Sequence, residues 1–572
     1  MLEKIPQQLT IWIEIMFISV IFNTEFMDYD SRKLWYLKNL FHCKKNNWAL
    51  ITHEYLKTHF DEILERVDQR FFEEFEMEPL DLCELVDVEQ HFVPDAIFDK
   101  IQRRFNSRTE MLTYLYTNND PDLEACLTEI IDSILNKATD AKIQGILHCL
   151  NAFKTLTDLS ESYNAPLISY VFSAIRKVHQ YRETLYCANV SDGVFCSGQC
   201  EQRYQSFMGE ESDFPLLERR ELVALLGKPK TFPLIPLMHA EPANEVCICS
   251  EAYSPSPQIF IKAPYVDQDI FYECKNLFPE DRIINRQHPY KLDQLKINRS
   301  EVKHDPAATI LSCKRVASVS SQIVLKAMLW NRTVVMKKNT LPLSFACEKE
   351  MDSCRTVDLA FLNYYLFCYL VPSELMFDDA YWRWRLTSPA ESAIYKRHIE
   401  YYLEKFSISS AVFEGTDPDE RFQLFLRGRH CDEHTISKLL STEKPDSFCY
   451  QNAVSKIKLE FPDSAHEQWC LNTFDGSEYI SHFSFDLDQK PTSIYFFPLE
   501  DKAGFISLKK VTVHRDSRPV ESKLSGEAPY RFLKQKNGHL LLHSRLGVGR
   551  VDLALTWTYR DIHSHVQETE FS

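Results

Sequence analysis

RVASVSSQIVLKAMLWNRTVV, residues 315–335, is the stretch whose reading decides the fold. The pattern predicts a strand over 315–321, a helix over QIVLKAMLW (322–330) and a second strand over TVVMKK (333–338). Connections this short between strand, helix and strand describe a βαβ unit, the building block of a parallel sheet. In open parallel sheets the ligand sits beyond the carboxyl ends of the strands, and here that position holds Ser318-Val319-Ser320-Ser321 followed by Gln322. Hydroxyls and free backbone amides at such a turn can face a phosphate, assisted by the positive end of the helix dipole. Simple capping of the helix explains the same serines.

Working outward, TFPLIPLMHA (231–240), EVCICS (245–250) and QIFIKAPY (258–265) are apolar runs expected to add strands to this block. A first α/β block precedes it, in which WALIT (48–52) and PLISYVF (166–172) read as strands. Around them HFDEILERVDQRFFEEF (59–75) and DLEACLTEIIDSIL (122–135) carry helical periodicity. Residues 356–406 are helical and aromatic (FLNYYLFCYLVP, YWRWRL, YYLEKF), a stripe expected to pack across both blocks rather than to line a binding site. Beyond 470, YISHFSFDL, SIYFFPL, FISLKKVTV and HLLLHS have the alternation and turn spacing of a β-sandwich. The expected organisation is therefore 1–229, an N-terminal α/β lobe rich in helices; 230–406, a second α/β lobe with an aromatic helical return; 407–469, a linker or helical bridge; and 470–572, a β-sandwich.

Composition narrows the function. At 572 residues the chain exceeds one hydrophobic core, and 44% apolar with 13% aromatic residues excludes a mainly disordered protein. A net charge of −17, from 65 basic and 82 acidic residues, argues against broad nucleic-acid binding, which needs a basic face. Only 13 glycines occur, and neither GxxxxGK[ST] nor GxGxxG is present, which disfavours P-loop ATPases and typical dinucleotide oxidoreductases. There is also no GxSxG elbow for a serine hydrolase. The 17 cysteines are scattered without zinc-site spacing and read as reduced thiols, Cys247 and Cys249 among them as packing residues, which points to the cytoplasm. LTIWIEIMFISVIF (9–22) contains Glu14 and is shorter than the roughly 20 residues a membrane span needs. A buried strand or helix is expected there, and peripheral association with an inner membrane is compatible with it.

The 315–335 stretch resembles the donor-binding lobe of bacterial capsule and lipopolysaccharide glycosyltransferases, notably the Kdo transferases of the two-lobed GT-B type. In that family a strand ends in Ser-Ser and a Gly-Lys-Pro turn follows the helix; here Asn331-Arg332-Thr333 replaces that turn, and Lys326 stands where the helix often has Glu. Phe260-Ile261-Lys262-Ala263-Pro264 is similar to the family's strand ending in Lys-x-His-Pro, without its histidine, and His288-Pro289 lies downstream as a substitute. Tyr181-Arg182-Glu183 with Ser191-Asp192-Gly193 is similar to the segment along the acceptor side, where the planar guanidinium of Arg182 suits a carboxylated sugar. Pro236 to Asn244 (PLMHAEPAN) resembles the strand-and-turn that carries an acidic residue near an Asn.

The resemblance implies two Rossmann-like lobes with helical insertions and a C-terminal β-sandwich, acting as a cytoplasmic, metal-independent glycosyltransferase. It would move a sugar from a nucleotide donor such as CMP-Kdo to a surface polysaccharide or lipid-linked glycan, with no cofactor. Its implied residues are Glu241 and Asn244 for catalysis, Lys262, His288, Ser318, Ser320, Ser321 and Gln322 for the donor, and Arg182 and Asp192 toward the acceptor. The departures from the family pattern motivate the rival expectation of a catalytically inactive glycan-binding or scaffold module. Convergence of Lys262, Glu241 and Ser320 on one cleft discriminates between the two.

Overall fold

The apolar run at the start of the chain becomes the strand β1 (Ile15–Ile21), an inner strand of a seven-stranded sheet. The computed structural model describes residues 15–22, 30–58, 88–137, 142–149, 152–173, 175, 185–190, 197–250, 266–286, 306–414, 417–440, 454–462, 464–471, 473–474, 479–497, 504–515, 518–524, 531–533, 540–542 and 549–560. β2 (Ala49–His53), β3 (Gln90–Val93), β4 (Lys142–Cys149) and β5 (Leu167–Phe172) run parallel with β1, in the spatial order β3-β2-β1-β4-β5. β6 (Leu185–Val190) pairs antiparallel with β5.

Both faces of this sheet are covered, which is why its strands read as continuous apolar runs. Phe17 and Ile21 join Leu50, Leu147 and Tyr170 on one face, while Ile18, Val20 and Phe22 join Ile51, Val93 and Ile146 on the other. Gly145 sits opposite Phe17 at a break in the β1–β4 register, and a Cβ there would come within 2.9 Å of the Phe17 ring.

The second sheet is wholly parallel. β7 (Asn244–Cys249), β8 (Ile283–Arg286), β9 (Cys313–Ala317) and β10 (Thr333–Val335) lie in the order β8-β7-β9-β10. The expected strand–helix–strand unit is present, with its helix at Ile323–Leu329. One expected strand is not: Pro229–His239 forms a 3₁₀ helix. Its internal Pro233 and Pro236 cannot donate to a sheet ladder, so an apolar run alone did not suffice for a strand.

The aromatic stretch ties the two sheets together. Tyr364, Phe367 and Tyr369 share a core with Cys247 and Val316, whereas Phe377, Tyr381 and Trp382 pack with Phe17 and Tyr170 of the first sheet. Between them, β11 (Leu370–Pro372) pairs antiparallel with β6, so the first sheet recruits an edge strand from beyond residue 229.

Among the described residues the C-terminal antiparallel region begins at Val454, not near 470. β12 (Val454–Glu460) and β13 (Ala465–Leu471) fall in the stretch expected as a linker, whose earlier part does hold the helices Pro418–Gly428 and Glu433–Leu440. With β16 (Ser493–Phe497) and β20 (Leu540–Leu541) they form a four-stranded sheet. A six-stranded sheet contains β14 (Thr473–Phe474), β15 (Tyr479–Leu487), β17 (Gly504–Arg515), β18 (Arg518–Leu524), β19 (Arg531–Leu533) and β21 (Gly549–Arg560). Ile457, Leu459 and Phe496 from the first meet Phe483, Leu553 and Trp557 from the second in one core. No helix among the described residues is long and apolar enough to cross a membrane.

Candidate functional site

In the second sheet the chain places β8 on one side of β7 and β9 on the other, so the strand order changes sides between β7 and β9, the position at which open parallel sheets take a ligand beyond their carboxyl ends. Ser318 leaves β9 at this edge. Its Oγ donates to the carbonyl of Cys249 at the end of β7 (2.9 Å) and accepts from the Ser321 amide (3.0 Å). Ser318 is buried and its hydroxyl is committed, so it shapes the turn rather than facing a ligand. Ser320 is also buried, while Ser321 and Gln322 are half-buried.

The flanking strands complete the edge. Ser250 donates its amide to Arg286 O (3.0 Å) and its hydroxyl to Asn285 Oδ1 (3.3 Å), and Thr340 Oγ1 donates to Val319 O. Lys337, just past β10, pairs with Glu273 Oε1 at 2.5 Å. Lys337 and Thr340 carry no local signal in the sequence; the strand order alone brings them here. The helix after the turn has seven residues, and Gln322 at its start makes no side-chain cap. Its dipole is correspondingly short, so hydroxyls and turn amides are the principal donors available to a phosphate.

Glu241 and Asn244 lie at the other end of the sheet. Asn244 is the first residue of β7, paired in register with Cys313, whereas Ile248 pairs with Ala317 immediately before Ser318. With about 3.3 Å per strand residue, that separates Asn244 from the serine turn by roughly 15–20 Å. The Asn244 amide and side chain both donate to Ser312 O (2.9 and 3.2 Å). Glu241 is 76% exposed and faces Lys314 Nζ at 3.6 Å, an ordinary surface pair. The expected catalytic placement is therefore corrected. The run before Glu241 is a 3₁₀ helix and the strand comes after it, which moves Glu241 from a carboxyl end to an amino end.

That amino edge carries an ion cluster of its own: Glu245 accepts from Arg282 Nη1 (3.0 Å), Lys314 Nζ (3.1 Å) and Arg315 Nη1 (3.2 Å). Burial pushes the Glu245 carboxyl up, but Lys314 and Arg315 outweigh it and hold its pKa below the usual value. Lys262, His288, Arg182 and Asp192 lie outside the described residues.

No protein-family model matches the chain, and no curated protein matches it in sequence. Solved structures offer partial likenesses. The beta Kdo 2,4 transferase of Thermosulfurimonas dismutans KpsC is 11% identical, with 40% of this chain and 81% of that chain covered at a TM-score of 0.28. The beta Kdo 2,7 transferase of the same protein is 10% identical, covering 46% and 90% at 0.27. The Methanocaldococcus jannaschii UDP-GlcNAc 2-epimerase, solved with UDP-GlcNAc and UDP, is 11% identical, covering 57% and 85% at 0.22.

Proposed function

We propose that this protein is a two-lobed, GT-B-like glycosyltransferase that binds a nucleotide sugar beyond the carboxyl edge of the second sheet. The observation that carries the reading is the turn Ser318–Ser321, pinned to β7 at the crevice where the strand order changes sides. Ser321, Gln322 and the turn amides would hold the phosphate, with Lys262 and His288 as further donor contacts. Arg182 and Asp192 would serve the acceptor, a surface polysaccharide or lipid-linked glycan.

The rival reading, a transferase-like module without catalysis, is favoured by the separation of Glu241 from the serine turn. A transferase reading must therefore take its chemistry from elsewhere than Glu241.

Thermal stabilisation of the full chain by CMP, UDP, GDP and TDP tests the donor assignment, since a ligand that binds only the folded state raises the melting temperature. One nucleotide is expected to raise it, and Ser321→Ala to abolish the effect. Glu241→Ala, on the opposite edge, should leave it as it is. No shift with any nucleotide would overturn the assignment.

A further inference from the structure

In the first sheet the strand order also changes sides, between the parallel β1 and β4, and the carboxyl ends beside that point gather polar groups the serine turn does not use. His53 ends β2 and is 2% exposed. Its Nδ1 lies 2.9 Å from Asp95 Oδ1, just past the end of β3. A carboxylate only accepts, so Nδ1 carries the proton and Nε2 presents a lone pair; the Tyr55 amide, 3.4 Å from Nδ1, is closer to Asp95 Oδ1 at 3.0 Å and bonds there. Phe98 flanks the imidazole, with ring centroids 4.6 Å apart.

Two polar atoms at this edge are left over. His53 Nε2 and Arg108 Nη2 are shielded from solvent and have no hydrogen-bond partner among the described residues. Leaving a buried polar atom unpaired costs about 1–3 kcal/mol, so an unpaired buried nitrogen calls for a partner or for a role in function. Burial pulls the pKa of His53 down; Asp95, Asp99 and Glu54 push it up, Arg108 pushes it down, and the net direction is below 6.5. The imidazole is thus neutral at neutral pH, with three carboxylates nearby to stabilise it once it has taken a proton.

We propose that His53 is the proton acceptor of a catalytic site at the carboxyl edge of the first sheet, taking a hydroxyl proton from a polyhydroxyl ligand on Nε2 while Arg108 Nη2 donates to an oxygen of the same ligand. Asp95 is the positioning residue that fixes the tautomer. The link to transfer rests on the nucleotide-sugar reading above. There the O–H bond breaks as Nε2–H forms, the oxygen bonds to the anomeric carbon of the donor, and the bond from that carbon to the phosphate breaks with its electron pair leaving on the phosphate.

Two measurements on the full chain test this. In ¹⁵N-histidine NMR, His53 is expected to carry its proton on Nδ1, and the Nε2 resonance to move when glycerol is added as a hydroxyl probe. A proton on Nε2, or a resonance that does not respond, would overturn the site. In assays of sugar release from CMP-, UDP-, GDP- and TDP-sugars, His53→Gln should lower kcat by about 10²-fold or more without changing the nucleotide-induced melting shift. Asp95→Asn should lower kcat and shift the acid limb of the pH–rate profile. Wild-type turnover in a folded His53→Gln protein would sink the catalytic role. If no nucleotide binds and no sugar is released, the donor reading fails, and the wild-type NMR result still decides whether His53 faces a hydroxyl ligand.

Discussion

Ser318 Oγ donates to the carbonyl of Cys249 at 2.9 Å, so a single hydroxyl pins together the ends of two neighbouring parallel strands. The same oxygen receives the Ser321 amide, so Ser318→Ala strands a buried donor and a buried acceptor at once. A loss of about 1–3 kcal/mol in denaturant unfolding is expected. A change of a few tenths or less would mean that the turn holds without it.

Arg203 and Glu391 form a second, larger fastening. Nε and Nη2 reach Oε1 and Oε2 at 2.7 and 2.9 Å, and Nη2 also donates to Cys368 O at 2.8 Å, joining the helices Ser197–Gly209 and Glu391–Lys405. Removing one partner leaves the other charge buried, so Arg203→Ala or Glu391→Ala should each cost about 3–5 kcal/mol. Arg203→Met with Glu391→Leu should cost clearly less than the sum of Arg203→Met and Glu391→Leu made singly, which a double-mutant cycle by chemical denaturation would show.

Gly145→Ala tests the close passage of β1 over β4. The added methyl would meet the ring of the fully buried Phe17 at 2.9 Å, and overpacking of this kind costs about 1–3 kcal/mol. A lowered melting temperature with the fold retained by circular dichroism is the expected result.

Buried histidines set the acid side of the stability profile. His398 is 0% exposed, with Nε2 at 2.9 Å from Tyr381 OH; burial first, and then Arg385, hold its pKa well below 6.5. His42, half-buried, is lowered in the same direction by desolvation and then by Lys38 and Lys45. The unfolded chain takes up these protons near pH 6.5 while the folded chain does not, so their contribution is fully present above that pH and is lost as the pH falls below it. Each histidine contributes a slope of up to about 1.4 kcal/mol per pH unit. Unfolding free energies measured from pH 7.5 to 5 should show the decline, and His398→Gln should remove one proton's worth of slope.

The strand–helix–strand unit at 313–335 was legible because an apolar strand, a polar turn and an apolar helix follow one another within local reach. TFPLIPLMHA is apolar enough for a strand, but Pro233 and Pro236 keep it out of a sheet ladder, and Glu241 therefore precedes β7 instead of following a strand. The start of the antiparallel region was readable in Lys456 to Phe461, where Ile457, Leu459 and Phe461 alternate with polar residues, yet it lies close to helices that draw attention to the bridge. His53 and Asp95 could not be paired from sequence. They stand 42 positions apart, and only the β2–β3 register, His53 against Val93, brings them together.

The pairing of β11 with β6 also constrains how this protein is made. Leu370 to Pro372 close the edge of a sheet whose other strands have all been synthesised by residue 190. On a ribosome the first lobe must therefore wait, with the β6 edge uncovered, while nearly two hundred further residues are added, the whole second sheet among them. An N-terminal fragment ending before Leu370 would keep that edge open to strangers, and the two lobes are expected to mature together rather than one after the other.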